Sequence, residues 1–205
     1  MKIYVINGPD TVGKTSFAVS LAQYLKDSNK VLLIQGKRSS NSNIEYFFNK
    51  DGMISYDLAD YFTGLAPLST VLVNETDNLD FIISPLLEDK YEFSRDDISK
   101  FLSDISYDYV VIDGIDKSLI SEKFAIDVVG EDSLSFVNNS DAFFINKVSN
   151  EYDVREYKSQ IESKEAKFLG TVKNGQDFNG VIDNLKNNNS VTVPKIGFFE
   201  KLFKK

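Results

Sequence analysis

The stretch Gly8-Pro9-Asp10-Thr11-Val12-Gly13-Lys14-Thr15, followed by Ser16, restricts the fold more than any other. It reads G-x-x-x-x-G-K-T, a spacing that works only between a strand and a helix. The flanks supply both. Lys2-Ile3-Tyr4-Val5-Ile6 before it is a short β-branched and aromatic run, and Phe17, Leu21 and Leu25 after it recur at helical spacing. A chance Gly/Lys/Thr turn would carry neither flank. Glycines let the backbone curl so that successive N–H groups face one concavity, and a helix N-terminus adds partial positive charge. The loop residues Gly8, Asp10, Thr11, Val12, Gly13, Lys14, Thr15 and Ser16 are therefore expected to cradle a nucleoside di- or triphosphate. Lys14 would meet the β- and γ-phosphates, and the Thr15 hydroxyl would take one Mg²⁺ position.

Composition narrows the chemistry further. With 205 residues, 42% hydrophobic and 26% charged, the chain is long enough for one sizeable domain with its own core. Cys and His are both absent. That excludes Cys/His zinc sites, thiol nucleophiles and histidine general bases. The net charge of −8 argues against gripping nucleic-acid backbones without sequence preference, so no strong nucleic-acid binding is expected. No signal peptide is expected, because the N-terminal apolar run is only a strand long. No apolar run approaches membrane-spanning length.

Along the chain, Val31-Leu32-Leu33-Ile34 reads as a buried strand and Gln35 to Asn43 as a polar surface loop. Residues 44–48 and 58–62 read as short helices. Thr70-Val71-Leu72-Val73 fits either a strand or a helix end. Residues 79–84 read as a strand stopped by Pro85, and Ser94 as the cap of a helix through Leu102. Four hydrophobic or aromatic residues then lead into Asp113 in Tyr109-Val110-Val111-Ile112-Asp113. An aspartate ending a strand downstream of such a loop is a Walker B pattern, placing Asp113 beside Mg²⁺; an aspartate capping the next turn is the alternative. Residues 141–145 and 167–172 read as strands, Tyr152 to Ser163 as a charged surface helix, and Phe178 to Leu185 as a helix. Val191 to Val193 is a candidate final strand. Strands alternating with helices predict an α/β fold, a doubly wound and mainly parallel sheet with helices on both faces, spanning residues 1–194. Ligands then sit at the strand carboxyl ends, where the loop and Asp113 both fall.

Residues 195–205 differ in character. At about 100° per residue, Ile196, Phe198, Phe199, Leu202 and Phe203 share one half of a helical wheel, with Glu200, Lys201, Lys204 and Lys205 opposite. Aromatics facing lysines suit an interfacial helix on an anionic membrane, inserting the rings while Lys201, Lys204 and Lys205 meet headgroups. Packing on its own sheet, or a disordered end, are the competing readings. One segment this short anchors weakly, so two copies on a dimer would hold far better.

With these residues in view, the chain resembles the MinD/ParA family of P-loop ATPases, its MinD-type members in particular. The resemblance rests on the loop, on Ser55 to Val73, on Asn78 to Pro85, on Tyr107 to Asp113 and on the tail Gly197 to Lys205. It implies ATP and Mg²⁺ as ligands and a homodimer with nucleotide between subunits. It also implies an unidentified protein partner, and reversible docking from the cytoplasm on the inner face of the membrane. A division, partition or secretion-type assembly would be positioned in this way. The family's base-contacting asparagine falls on Asn146 or Asn174. Two departures weaken the expected ATPase. The family's signature lysine after the first glycine is Pro9 here, and its acidic stretch after the second strand is Gln35-Gly36-Lys37. Lys14 and Asp113 remain as catalytic groups, with Asp116 able to orient a water, so hydrolysis is expected to be weak or absent. A catalytically degenerate membrane scaffold is one alternative. The loop wording also resembles that of thymidylate kinases, although Asp113-Gly114 replaces their Asp-Arg pair. Arg38, Arg95 and Arg155 are the sequence's arginines, too few for an Arg-rich lid.

Overall fold

The computed structural model describes residues 1–40, 42–87 and 89–197. The short apolar runs become strands β1 (Lys2–Asn7), β2 (Val31–Gln35), β3 (Val73–Thr76), β4 (Leu79–Ile82), β5 (Tyr109–Asp113), β6 (Phe124–Val129), β7 (Ala142–Val148) and β8 (Lys167–Lys173). These form one eight-stranded sheet in the order β3-β4-β2-β5-β1-β6-β7-β8. The pairs β1–β5, β2–β5, β2–β4 and β7–β8 are parallel, and β3 runs antiparallel to β4. The mainly parallel α/β sheet expected from the sequence is the one found. Two compact units divide the chain: Met1–Asn7 with Gly13–Ile126, and Gly8–Val12 with the residues from Asp127 onward.

The first unit carries helices α1 (Lys14–Leu25), α2 (Ile44–Phe47), α3 (Leu58–Phe62), α4 (Leu68–Val71) and α5 (Arg95–Asp104). Every residue of β2 is buried, as a strand covered on both faces requires. Val5, Leu32, Ile34, Val110 and Ile112 pack with Leu58, Val71, Ile98 and Phe101 in one apolar cluster. The ambiguous stretch at residues 70–73 is both things in turn: α4 ends at Val71 and β3 starts at Val73. Ser94 does cap α5, in a reciprocal box with Asp97, and the helix runs to Asp104, past the expected end at Leu102. A second box, Asp57 with Asp60, starts α3. The Asp57 carboxylate also accepts from the Leu86 N–H, and Lys90 Nζ lies 2.8 Å from Asp57 and 2.6 Å from Asp60. This triad ties the segment after β4 to the start of α3.

The second unit carries α6 (Lys158–Glu162) and α7 (Asn179–Lys186). Its core joins Val129, Leu134, Phe143, Ile145, Phe168 and Val193. Two expectations are corrected here. Tyr152 to Ser163 is not one surface helix but a 3₁₀ turn, Val154–Tyr157, followed by α6. The Asp153 carboxylate takes the Arg155 N–H and restarts the chain there, while Tyr152 stacks on Tyr157 with ring centres 5.0 Å apart. Ile161 of α6 is buried, so this segment is not wholly surface. Residues 191–193 form no strand, since the Val191 N–H makes a single bond to the Phe168 carbonyl before Pro194. Strand β6 is additional to the strands read from the sequence. Its Asp127 interrupts the apolar run but is buried, taking the Asn138 N–H and the Ser140 hydroxyl.

No helix among the described residues is long and apolar enough to cross a membrane. Lys195 and Gly197 are exposed. Of the proposed membrane residues, Phe198, Phe199, Lys201, Leu202, Phe203, Lys204 and Lys205 lie outside the described residues.

Candidate functional site

The loop between β1 and α1 is shaped by backbone that most residues resist. Gly8 has φ 155° and Gly13 φ 93°, and a Cβ on Gly8 would come within 2.1 Å of the Val128 carbonyl oxygen. Thr11 accepts a left-handed φ of 66° despite its branched side chain. Gly13 then hands over to α1, whose N-terminus has no side-chain cap and no acidic residue in its first turn. The positive end of the helix dipole there is thus not met by a carboxylate of its own first turn, which favours an anion at this end. Lys14 and Thr15 occupy that first turn. Pro9 brings no N–H, so the loop offers one donor fewer than it would with another residue.

At the start of α1 the Thr15 hydroxyl donates to Asp113 Oδ2 across 2.7 Å. Both residues are buried, Asp113 to 2% exposure, and Asp113 Oδ1 has no hydrogen-bond partner. Burial pushes the Asp113 carboxyl up to about 6, against the Thr15 hydroxyl, the Lys14 charge and the nearby Gln35 amide, which all favour ionisation. An unpartnered buried carboxylate oxygen beside a hydroxyl is a fitting donor set for Mg²⁺. That ion keeps several waters and phosphate oxygens and needs few protein ligands. No group of three or more acidic or Cys/His residues that could cage a metal occurs among the described residues. An ion held by Thr15 and Asp113 would fill the rest of its shell with waters or ligand oxygens.

The other half of the loop is held within the second unit. Asn146 Nδ2 donates to the Val12 carbonyl at 2.8 Å, and Lys147 Nζ to the Thr11 carbonyl at 2.5 Å. Lys147 itself has φ 57°, a left-handed value uncommon for a residue other than glycine. Of the two candidate asparagines, Asn146 is buried and fastened to the loop. Asn174 is exposed, its own N–H bonded to the Val148 carbonyl. Lys147 escaped the sequence reading. Its one signal was adjacency to Asn146 at a strand's end.

Two residues are placed differently from their expected roles. Asp116 is exposed, and its carboxylate takes the Ser118 N–H at 2.8 Å, capping a 3₁₀ turn over Lys117–Leu119. That bond holds the Asp116 carboxyl below the usual range. Gln35, read as a loop residue, is the last residue of β2 and fully buried, in register with Asp113. The arginines are engaged elsewhere: Arg38 pairs with Glu45 at 2.6 Å, Arg95 donates to the Ser118 carbonyl, and Arg155 pairs with Asp153 at 2.9 Å.

Compared by sequence, the chain matches no protein-family model and no curated protein. Its structure, in contrast, is similar to several solved ones. A plasmid partition protein from Borrelia burgdorferi superposes with a TM-score of 0.70 at 20% identity, covering 91% of this chain and 98% of that one. A chain of the MinC:MinD cell division protein complex of Aquifex aeolicus gives 0.69 at 18% identity, covering 96% and 100%. The septum site-determining protein MinD of Pyrococcus horikoshii, complexed with Mg-ADP, gives 0.64 at 16% identity, covering 89% and 85%. The strand order, the loop between β1 and α1, and these superpositions agree that the chain has the fold of the MinD and ParA P-loop ATPases.

Proposed function

We propose that this protein binds ATP with Mg²⁺, dimerises, and docks reversibly on the inner face of the cell membrane through residues 195–205. It would thereby position a division, partition or secretion-type assembly. The observation that carries the nucleotide reading is the uncapped start of α1 combined with the Thr15–Asp113 bond and the unpartnered Asp113 Oδ1. Together they set the positive end of a helix dipole beside a cation donor set. Lys14 supplies the positive charge that phosphates require. When bound, Mg²⁺ would neutralise phosphate charge while Thr15 and Asp113 hold it, directly or through its waters.

Hydrolysis is slow or absent in this reading. Pro9 brings no charge to the position after the first glycine, Gln35 is no base, and Asp116 is spent on a cap. Transfer of a phosphoryl group between nucleotides is disfavoured, because it needs several cations on the migrating group and all three arginines make hydrogen bonds or ion pairs elsewhere. The amphipathic pattern of residues 195–205 supports the membrane step. The departures at Pro9 and Gln35 favour one second reading, a nucleotide-independent membrane scaffold.

Co-sedimentation with anionic liposomes separates these readings. The full chain is compared without nucleotide, with ADP and with ATP, all in Mg²⁺, beside a chain ending at Pro194. Pelleting only with ATP and lost on truncation is expected. Equal pelleting in every state would favour the scaffold, and no pelleting would remove the membrane step.

A further inference from the structure

Gln35 is 0% exposed, yet one end of its amide is unused. Oε1 accepts the N–H of Ile44, the first residue of α2, at 3.3 Å. An N–H can only donate, so this bond settles which end of the amide is oxygen. Nε2 must therefore point the other way, and it has no hydrogen-bond partner. In the same register of the neighbouring strand, Asp113 Oδ1 is also buried and unpartnered. The two lie close enough for the amide to favour the ionised carboxylate, without a hydrogen bond of good geometry between them.

Leaving both groups unsatisfied carries a real cost, because each buried polar atom forfeits its bonds to water. A methionine or leucine at position 35 would remove the unused donor, though it would also deprive the Ile44 N–H of its acceptor. Such a pair of orphans is accounted for when a third party satisfies both. The third party has to accept from an amide and donate to, or ligate, a carboxylate. A hydrated Mg²⁺–phosphate group does both: its phosphate oxygens accept, and its metal or metal-bound waters serve the carboxylate. A carboxylate in place of Gln35 would repel those oxygens, whereas an amide donates to them.

We infer that Gln35 is a ligand-contacting residue of the Asp113 site, its Nε2 donating to a phosphate oxygen of the bound Mg²⁺–nucleotide while its Oε1 keeps α2 in place. This rests on the nucleotide reading above. The near-isosteric change Gln35→Glu keeps an oxygen for the Ile44 N–H, deletes the N–H₂ and adds a charge, so Gln35→Met serves as the uncharged comparison. Titration of the full-length protein with Mg·AMPPNP should show Gln35→Glu weakened roughly ten- to a hundredfold, with amide exchange at Ile44 unchanged. Gln35→Met removes donor and acceptor together without adding charge. It should lose affinity by roughly tenfold and also speed exchange at Ile44. Wild-type affinity in both variants overturns the inference. So does weak binding by Gln35→Glu with normal binding by Gln35→Met, since that pattern is charge repulsion alone. A wild-type chain that binds no Mg·AMPPNP would instead overturn the nucleotide reading itself.

Discussion

A carboxyl raised by burial costs the folded protein whenever it ionises. Asp113, pushed up to about 6, loses its proton in the unfolded chain first. Its contribution to stability is therefore fully present below about pH 4 and lost as pH rises through about 6. Asp113→Asn keeps an oxygen for the Thr15 hydroxyl and removes the charge. In the absence of nucleotide it should stabilise the protein by about 2 kcal/mol above pH 7, with the gain vanishing near pH 4. Urea unfolding at both pH values would show it; equal stability at pH 7 would contradict the burial argument. On the proposed Mg²⁺ reading, the same ionisation would make metal binding pH-dependent. The Mg²⁺-dependent part of nucleotide affinity should fall by roughly tenfold per pH unit below about pH 6. Lys14→Ala should abolish that affinity while leaving folding intact, because Lys14 is a partly exposed residue of the first helical turn.

At the scale of elements, the segment after β4 depends on one cation. Lys90 sits between two carboxylates that are almost fully buried, Asp57 and Asp60. Burial raises the Asp60 carboxyl, but hydrogen bonding to Lys90 and to the Asp57 backbone outweighs it, and the net shift is downward. Its stabilising contribution is therefore present above about pH 4 and lost as pH falls through its depressed value. Lys90→Met removes the partner and leaves two uncompensated charges. A loss of about 3–5 kcal/mol is expected near neutral pH, shrinking as the carboxylates protonate. Amide exchange should rise first at Leu86, whose N–H is held by Asp57. Ser94→Ala, which removes a cap at a more open helix start, should cost only about 1 kcal/mol.

For the whole molecule, the proposed division of labour separates a nucleotide-binding body from residues 195–205. Truncation after Pro194 removes exposed Lys195 and Gly197 and half-buried Ile196 from the described structure. It should leave the melting temperature within a degree or two while abolishing liposome binding. A larger drop would mean that the tail packs on the body. Steady-state hydrolysis should stay well below the order of 1 s⁻¹ common for enzymes, with or without liposomes. Turnover at or above that rate would remove the case built on Pro9 and Gln35.

Local patterns were enough for the elements whose determinants are contiguous. The G-x-x-x-x-G-K-T loop required a strand before it and a helix after it. Ser94 marked a helix start, which the structure completes in a reciprocal box with Asp97 three positions on, and Val31 to Ile34 announced a buried strand. What the sequence could not disclose depends on partners distant along the chain. Strand β6 was hidden because Asp127 looks like a loop residue until Asn138 and Ser140 satisfy it. Asn146 and Asn174 looked equivalent, and only the fold brought Asn146 to Val12, with Lys147 beside it. Gln35 read as the first residue of a polar loop. Its burial opposite Asp113 follows from strand register, which is set by neighbours some eighty residues apart in sequence (Gln35 with Asp113) and not by any local preference. Burial, register and the satisfaction of polar atoms are properties of the packed chain, and they are what distinguish a polar residue on a surface from one in the site.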